Sequence, residues 1–235
     1  MIAHHPTEDV LLGYAAGDLS EPMALVVATH LTLCPSCRRA VADAELLAGA
    51  LLDQVALEPA NDHAAAAPWL SSEVDAVIAR AARTPQGIPQ GISKGVSASA
   101  ARPVAKAGGL FPRPLAQYVG GDLDQVAWKP LAPGIRHSIL AQNAEGATVR
   151  LLRIEPGRSV FEHSHTGTEM TLVLCGSYEA GGQRFARGDL EVADETVLHK
   201  PVAGMEDVCV CLAVTDAPLR FRSVVGRVMQ PFFGI

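Results

Sequence analysis

His30, Cys34 and Cys37 stand in the order His-x3-Cys-x2-Cys. That pattern fits zinc chemistry. A tetrahedral zinc ion takes four nitrogen or sulfur ligands at about 2.0–2.3 Å, and a Cys-x2-Cys turn can place two sulfurs on one ion. His30 falls one helical turn before Cys34. Cys37 opens the next helix, where the positive N-terminal end favours thiolate over thiol. A closed structural site needs one more ligand, and His4 and His5, ahead of the first helix, are the candidates. A redox Cys-x2-Cys pair would instead follow a strand in a βαβ unit, and the surrounding sequence offers none.

A second constellation lies far downstream. Gly157-x5-His163-Ser-His165-x3-Glu169-x6-Gly176 matches the first cupin motif position for position. His163 and His165 alternate on one predicted strand, so both imidazoles point to the same face. Glu169 opens the next strand after a turn. A further ligand is expected from a later strand facing the same cavity, and His199 is the candidate, ten residues after Asp189. Three imidazoles and one carboxylate suit zinc, iron, manganese or nickel. The second cupin motif is degenerate: Gly182-x5-Gly188 survives without the usual proline.

The remaining His and Cys residues carry weaker signals. His137 is expected at the surface or core edge, and His63 in a polar connector. Cys209 and Cys211 alternate on an apolar strand and read as small core residues more readily than as a redox pair. An oxidation-sensing role would require their shared face to look into the barrel cavity. Cys175 reads as packing.

These residues need elements to hold them. Thr7 could cap a helix from about Glu8 to Ala16 that stops at Gly17. Ser20 could cap a second helix, with Pro22 in its first turn, that runs to Cys34. A third starts near Pro35 and runs through Leu46, Leu47, Leu51 and Leu52. A fourth, short helix fits SSEVDAVIARAAR. The Gly-, Pro- and Ser-rich stretch that follows has no apolar periodicity and reads as a flexible linker. From about Leu110 onward, short β runs alternate with Gly, Pro and Asp: Thr148–Ile154, Ser159–His165, Met170–Leu174, Asp189–Val192 and Val208–Val214. That spacing suits a small all-β sandwich or barrel.

The text HHPTEDVLLGYAAGDLSEPMALVVATHLTLCPSC resembles the zinc-binding anti-sigma factors, and most of all their ChrR-type members, which add a C-terminal cupin. RPLAQYVGGDLDQVAWKPL, APLRFRS and the terminal QPFFGI extend the resemblance over nearly the whole chain. The resemblance implies an α + β, two-domain chain: a zinc-bound four-helix anti-sigma domain over residues 1–85, a linker over 86–109, and a cupin, a double-stranded β-helix barrel, over 110–235. It implies His5 as the fourth ligand beside His30, Cys34 and Cys37, with His4 as its solvated neighbour. It also supports His199 beside His163, His165 and Glu169. The implied partner is an extracytoplasmic-function sigma factor, and the implied signal is singlet oxygen or a related oxidant.

Composition narrows the alternatives. The net charge is −6 over 235 residues, but residues 1–85 hold eleven Asp/Glu and four Arg, a net of −7. An acidic first part suits a basic protein partner and argues against DNA binding, which needs clustered Lys and Arg. No apolar run approaches the roughly 18 residues that span a bilayer. The N-terminus lacks the basic and apolar regions of a signal peptide, so a cytoplasmic location and no membrane partner are expected. Five cysteines in such a chain suggest metal or redox roles before disulfides. The competing reading is a metal-dependent, dioxygenase-like cupin enzyme with an accessory zinc module.

Overall fold

A computed structural model describes residues 2–54, 109–143, 146–217 and 220–221. The predicted fourth helix, most of the predicted linker, His63 and the terminal QPFFGI lie outside the described residues. Among the described residues, no single helix is long and apolar enough to cross a membrane.

The chain opens with three helices: α1 (Glu8–Ala16), α2 (Glu21–Leu33) and α3 (Pro35–Leu52). Their bounds follow the sequence signals closely, but the caps differ from expectation. Thr7 and Ser20 occupy the N-cap positions without a side-chain cap bond. Acidic first turns, Glu8 and Asp9 in α1 and Glu21 in α2, complement the positive helix ends in their place. α2 is buried on nearly every side, through Met23, Leu25, Val26, Val27, Thr29, His30 and Leu31. A helix apolar all round belongs inside a core.

Before the first strand comes a helix that the β-like pattern after Leu110 concealed: α4 (Arg113–Val119), followed by a 3-10 turn at Leu123–Gln125. Prolines at 112 and 114 suit a helix start. Asp122 and Gln125 form a reciprocal capping box on the short turn.

Among the described residues, twelve strands build the barrel. One antiparallel sheet contains β1 (Lys129–Ala132), β2 (Ile135–Gln142), β3 (Thr148–Ile154), β11 (Cys209–Thr215), β5 (Glu169–Cys175) and β8 (Leu190–Ala193), in that order. A second orders β10 (Val202–Ala203), β6 (Ser177–Ala180) and β7 (Gln183–Ala186). A third orders β12 (Arg220–Phe221), β4 (His163–Ser164) and β9 (Leu198–His199). The run expected from Ser159 to His165 is thus mostly irregular: Ser159 makes only an isolated bridge to Val202.

Alternation along the large sheet separates two cores. Val149, Leu151, Met170, Leu172, Leu174, Val210, Leu212 and Val214 belong to one cluster together with Val26, Val27 and Leu31 of α2 and Leu115 of α4. Ile154, Val173, Tyr178, Phe185, Cys209 and Cys211 form the other, inside the barrel. α2 packs on β11, β5 and α4. Helices and barrel therefore share one apolar core, and residues 1–47 with 103–235 form one compact unit. Each fully buried Val or Leu contributes roughly 1.5–3 kcal/mol. Residues 48–102 divide off as a second unit, of which the described part is the end of α3 and the turn after it.

Candidate metal centres

The first cluster sits where α2 meets α3. Cys34 ends α2 and lies in the joint, and Cys37 falls in the first turn of α3. His5 comes from the extended N-terminal segment. Its Nδ1 lies 3.4 Å from Cys34 Sγ and 3.3 Å from Cys37 Sγ. His30 Nδ1–H donates to the Gly188 carbonyl at 2.9 Å. Its Nε2 is buried without a hydrogen-bond partner. One potential ligand atom from each of His5, His30, Cys34 and Cys37 lies within 4.8 Å of the others. Ligands of one tetrahedral ion stand roughly 3.3–3.8 Å apart, so the His5–cysteine spacing suits a shared ion. The orphaned His30 nitrogen has the same explanation.

Protonation states favour ligation. Burial pushes His30 down to about 4, leaving the imidazole neutral at ordinary pH. Burial also acts to raise Cys34, but hydrogen bonds from Ser36 and the Cys37 backbone outweigh it and lower the thiol. Cys37 is pushed up to about 11 by burial and by its bond to Cys34. The two thiols are thus shifted in opposite directions, and Cys37 needs a nearby cation to lose its proton at ordinary pH. His5 is the exposed member, and a groove lined by Ile2, Cys34, Ser36, Arg39 and Arg187 opens beside it.

His4 does not join this cluster, nor does it stand in solvent as expected. It is half-buried, with its ring 4.3 Å from that of Phe185 and its Nδ1 3.6 Å from Asp189 Oδ2. The N-terminal segment is fastened to the barrel here. Asp189 Oδ1 accepts from the N–H groups of Ala3 at 2.7 Å and His4 at 3.0 Å. The Leu190 N–H donates to the His4 carbonyl at 3.2 Å.

The second cluster lies inside the barrel. His163 on β4 pairs in register with His199 on β9, His165 follows β4, and Glu169 opens β5. All four side chains are buried. His199 Nε2 is 3.1 Å from His163 Nε2 and 3.3 Å from His165 Nε2. Glu169 Oε2 lies 3.4 Å from His163 Nε2, 3.2 Å from His165 Nδ1 and 3.9 Å from His199 Nε2. Outer partners aim the rings: His163 Nδ1–H donates to the Phe161 carbonyl at 2.8 Å, and His199 Nδ1–H to Glu191 Oε1 at 3.1 Å. The Tyr178 hydroxyl donates to the other Glu191 oxygen at 2.6 Å. This is the second-sphere pattern of histidines that ligate metals.

Electrostatics agree. Burial acts to raise Glu169, but its hydrogen bond to His163 and the nearby imidazole charges hold it at about 2. Burial acts to lower His163, and the Glu169 hydrogen bond and charge overcome it and raise the ring. Burial lowers His165. Three convergent imidazoles and an ionised carboxylate are a hard-to-borderline donor set, whereas the sulfur-bearing set of the first cluster suits zinc.

His5, His30, Cys34 and Cys37 fall in the first cluster and His163, His165, Glu169 and His199 in the second, while the alternative candidate His4 falls in neither. Among the weaker signals, His137 is a correction: it is 5 % exposed, and it pairs across β2 and β3 with Leu152, which lines the barrel cavity. Cys209 and Cys211 are buried with sulfurs 3.4 Å apart, and Cys211 lines that cavity beside Glu191 and His199. Phe161, Glu191, Gly188 and Asp189 were not legible as supports. Only Gly188-Asp189 had a signal, as the remnant of the degenerate second motif, and nothing in it pointed to the N-terminus.

Known proteins agree with this arrangement. A family model described as the ChrR Cupin-like domain matches residues 116–218. Anti-sigma-E factor ChrR of Cereibacter sphaeroides is 39 % identical over 234 residues, covering 100 % of this chain and 99 % of the relative. The crystal structure of Rhodobacter sphaeroides SigE in complex with the anti-sigma ChrR gives a TM-score of 0.69 at 35 % identity, covering 92 % of this chain and 100 % of that one. Full-length identity, two gathered His/Cys and His/Glu clusters and a matching overall fold lead to one conclusion: this chain belongs to the ChrR family of anti-sigma factors.

Proposed function

We propose that this protein binds an extracytoplasmic-function sigma factor and keeps it from RNA polymerase through a zinc-bound helical domain spanning residues 1–85. The observation that carries this reading is the gathering of His5, His30, Cys34 and Cys37 at the α2–α3 joint, in a chain whose full-length relative is an anti-sigma factor. Zinc there is a scaffold: four protein ligands leave no open position for chemistry. The ion ties the N-terminal segment to two helices. α3 then presents Leu46, Leu47, Leu51 and Leu52 to solvent, at 57–73 % exposure. Exposed leucines on one helix are a surface for a partner, and the acidic balance of residues 1–85 suits a basic one.

The cupin is the part that answers the signal, an oxidant such as singlet oxygen. His163, His165, Glu169 and His199 would hold zinc or another divalent transition metal, and oxidation at or near this centre would free the sigma factor. The chain is on this reading a cytoplasmic regulator that makes no direct contact with nucleic acid or membrane. Cys37→Ser is expected to abolish inhibition, while Glu169→Ala is expected to keep inhibition and lose the response to oxidant. Transcription of a sigma-dependent reporter with and without photosensitised singlet oxygen reads both. Intact inhibition by a folded, zinc-free Cys37→Ser chain rules out the scaffold role, and a normal response from Glu169→Ala removes the cupin centre from sensing.

The buried three-His, one-Glu cluster beside a cavity also favours a second reading, a dioxygenase-like activity in the barrel. Oxygen uptake by the metal-loaded full chain distinguishes it from a sensor without turnover.

A further inference from the structure

The helical cluster is not built by the helical segment alone. Two of its four members are held in place by one barrel turn, the β7–β8 connection at Gly188-Asp189. His30 donates its Nδ1 proton to the Gly188 carbonyl, 158 residues away, which leaves Nε2 for the cluster. His5 sits on a segment whose two preceding residues are pinned by the Asp189 carboxylate at 2.7 and 3.0 Å. The carbonyl of His4 is taken in turn by the Leu190 N–H. Asp189 is 3 % exposed, and its second oxygen accepts from the Ala186 N–H at 2.8 Å, so the carboxylate is rigidly aimed. The close approach needs glycine at 188: φ is +92°, and a Cβ there would stand 2.6 Å from Ile2 Cδ1.

We propose that Asp189 of the barrel is a positioning residue for the helical metal centre: it fixes the N-terminal segment so that His5 stays within reach of the ion that His30, Cys34 and Cys37 hold. This rests on the reading of that cluster as a metal centre. The physical basis is general. A ligand on a free chain end must be ordered each time it binds, and a second-sphere partner that orders it in advance strengthens metal affinity, typically by about 10–100-fold. His5 is the member that needs it most, because it is exposed and belongs to no helix.

The test uses the full chain loaded with cobalt or zinc. Only the helical cluster has sulfur ligands, so a thiolate-to-cobalt charge-transfer band reports that centre and is blind to the barrel centre. Two variants break the same contact from opposite ends. Asp189→Asn alters the carboxylate, and Ala3→Pro removes the 2.7 Å donor while leaving the barrel turn untouched. Both are expected to lose the band to a competing chelator about 10-fold or more faster than wild type, with the far-UV circular dichroism spectrum unchanged in Ala3→Pro. Wild-type release rates in a folded Ala3→Pro chain overturn the proposal, even if Asp189→Asn proves unstable. A wild-type chain that gives no thiolate band overturns the metal assignment, and this inference with it.

Discussion

At the scale of single residues, placement decides what each ionisable group can do. His4 and His5 are neighbours of identical type, and their roles separate because the backbone between them is clamped by Asp189. One ring is laid against Phe185 and the other toward two sulfurs. Asp189 also brings a pH dependence. Burial acts to raise its carboxyl, but N–H donors from Ala186, His4 and Ala3 hold it below the ordinary value of 3.8. A carboxyl whose folded pKa is depressed stabilises the fold fully above its unfolded value and loses that contribution as the pH falls through the folded one. The stability difference between wild type and Asp189→Asn is therefore expected to be constant near pH 7 and to shrink progressively as the pH falls below the ordinary carboxyl value of 3.8. Urea unfolding at several pH values measures it, and a difference that persists undiminished at pH 2.5 contradicts the account.

At the scale of elements, α2 has the largest part. It carries His30 at one end of its buried face and covers the outer side of β5 and β11 with the rest. Truncating a residue under it should be felt by both halves of the unit. Leu212→Ala, at a fully buried site on β11, is expected to cost about 2–5 kcal/mol, with helical circular dichroism and, in a Trp69→Phe background, Trp128 fluorescence falling in one transition. Two separated transitions would contradict a shared core. α3 makes the opposite prediction. Leu46→Asp with Leu47→Asp changes residues that are 73 % and 61 % exposed, so folding and zinc content should stay intact while sigma binding weakens at least 10-fold. Unchanged sigma binding would move the contact surface elsewhere on the chain.

The legibility of the elements was uneven for physical reasons. Ligand spacings are local: His30, Cys34 and Cys37 lie within one helix–turn–helix, and Gly157 to Gly176 within twenty consecutive residues that hold β4, β5 and the turns beside them, so chemistry and geometry coincide in the sequence. α4 was missed because a seven-residue helix with two prolines near its start offers no apolar period long enough to recognise. The buried outer face of the sheet was missed because alternation shows which residues face together, not what covers them. The Asp189 clasp spans 186 residues, and no pattern in one sequence reports a contact of that separation.

At the scale of the whole molecule, the apolar outer face of the barrel sheet is the floor on which α2 packs. The same short segment, Gly188 to Glu191, touches the helical cluster at one end and, through Glu191 and His199, the barrel cluster at the other. Both clusters therefore lie in one compact unit. The central claim remains inhibition of a sigma factor by the zinc-bound helices. Its most direct test is to pass the tagged, zinc-loaded full chain over lysate of its own cells, identify what it retains, and add the purified pair to core RNA polymerase. The account predicts an extracytoplasmic-function sigma factor, retained at one copy per chain and unable to start transcription until zinc is chelated. Recovery of no sigma factor, or of one that transcribes freely while bound, would contradict it.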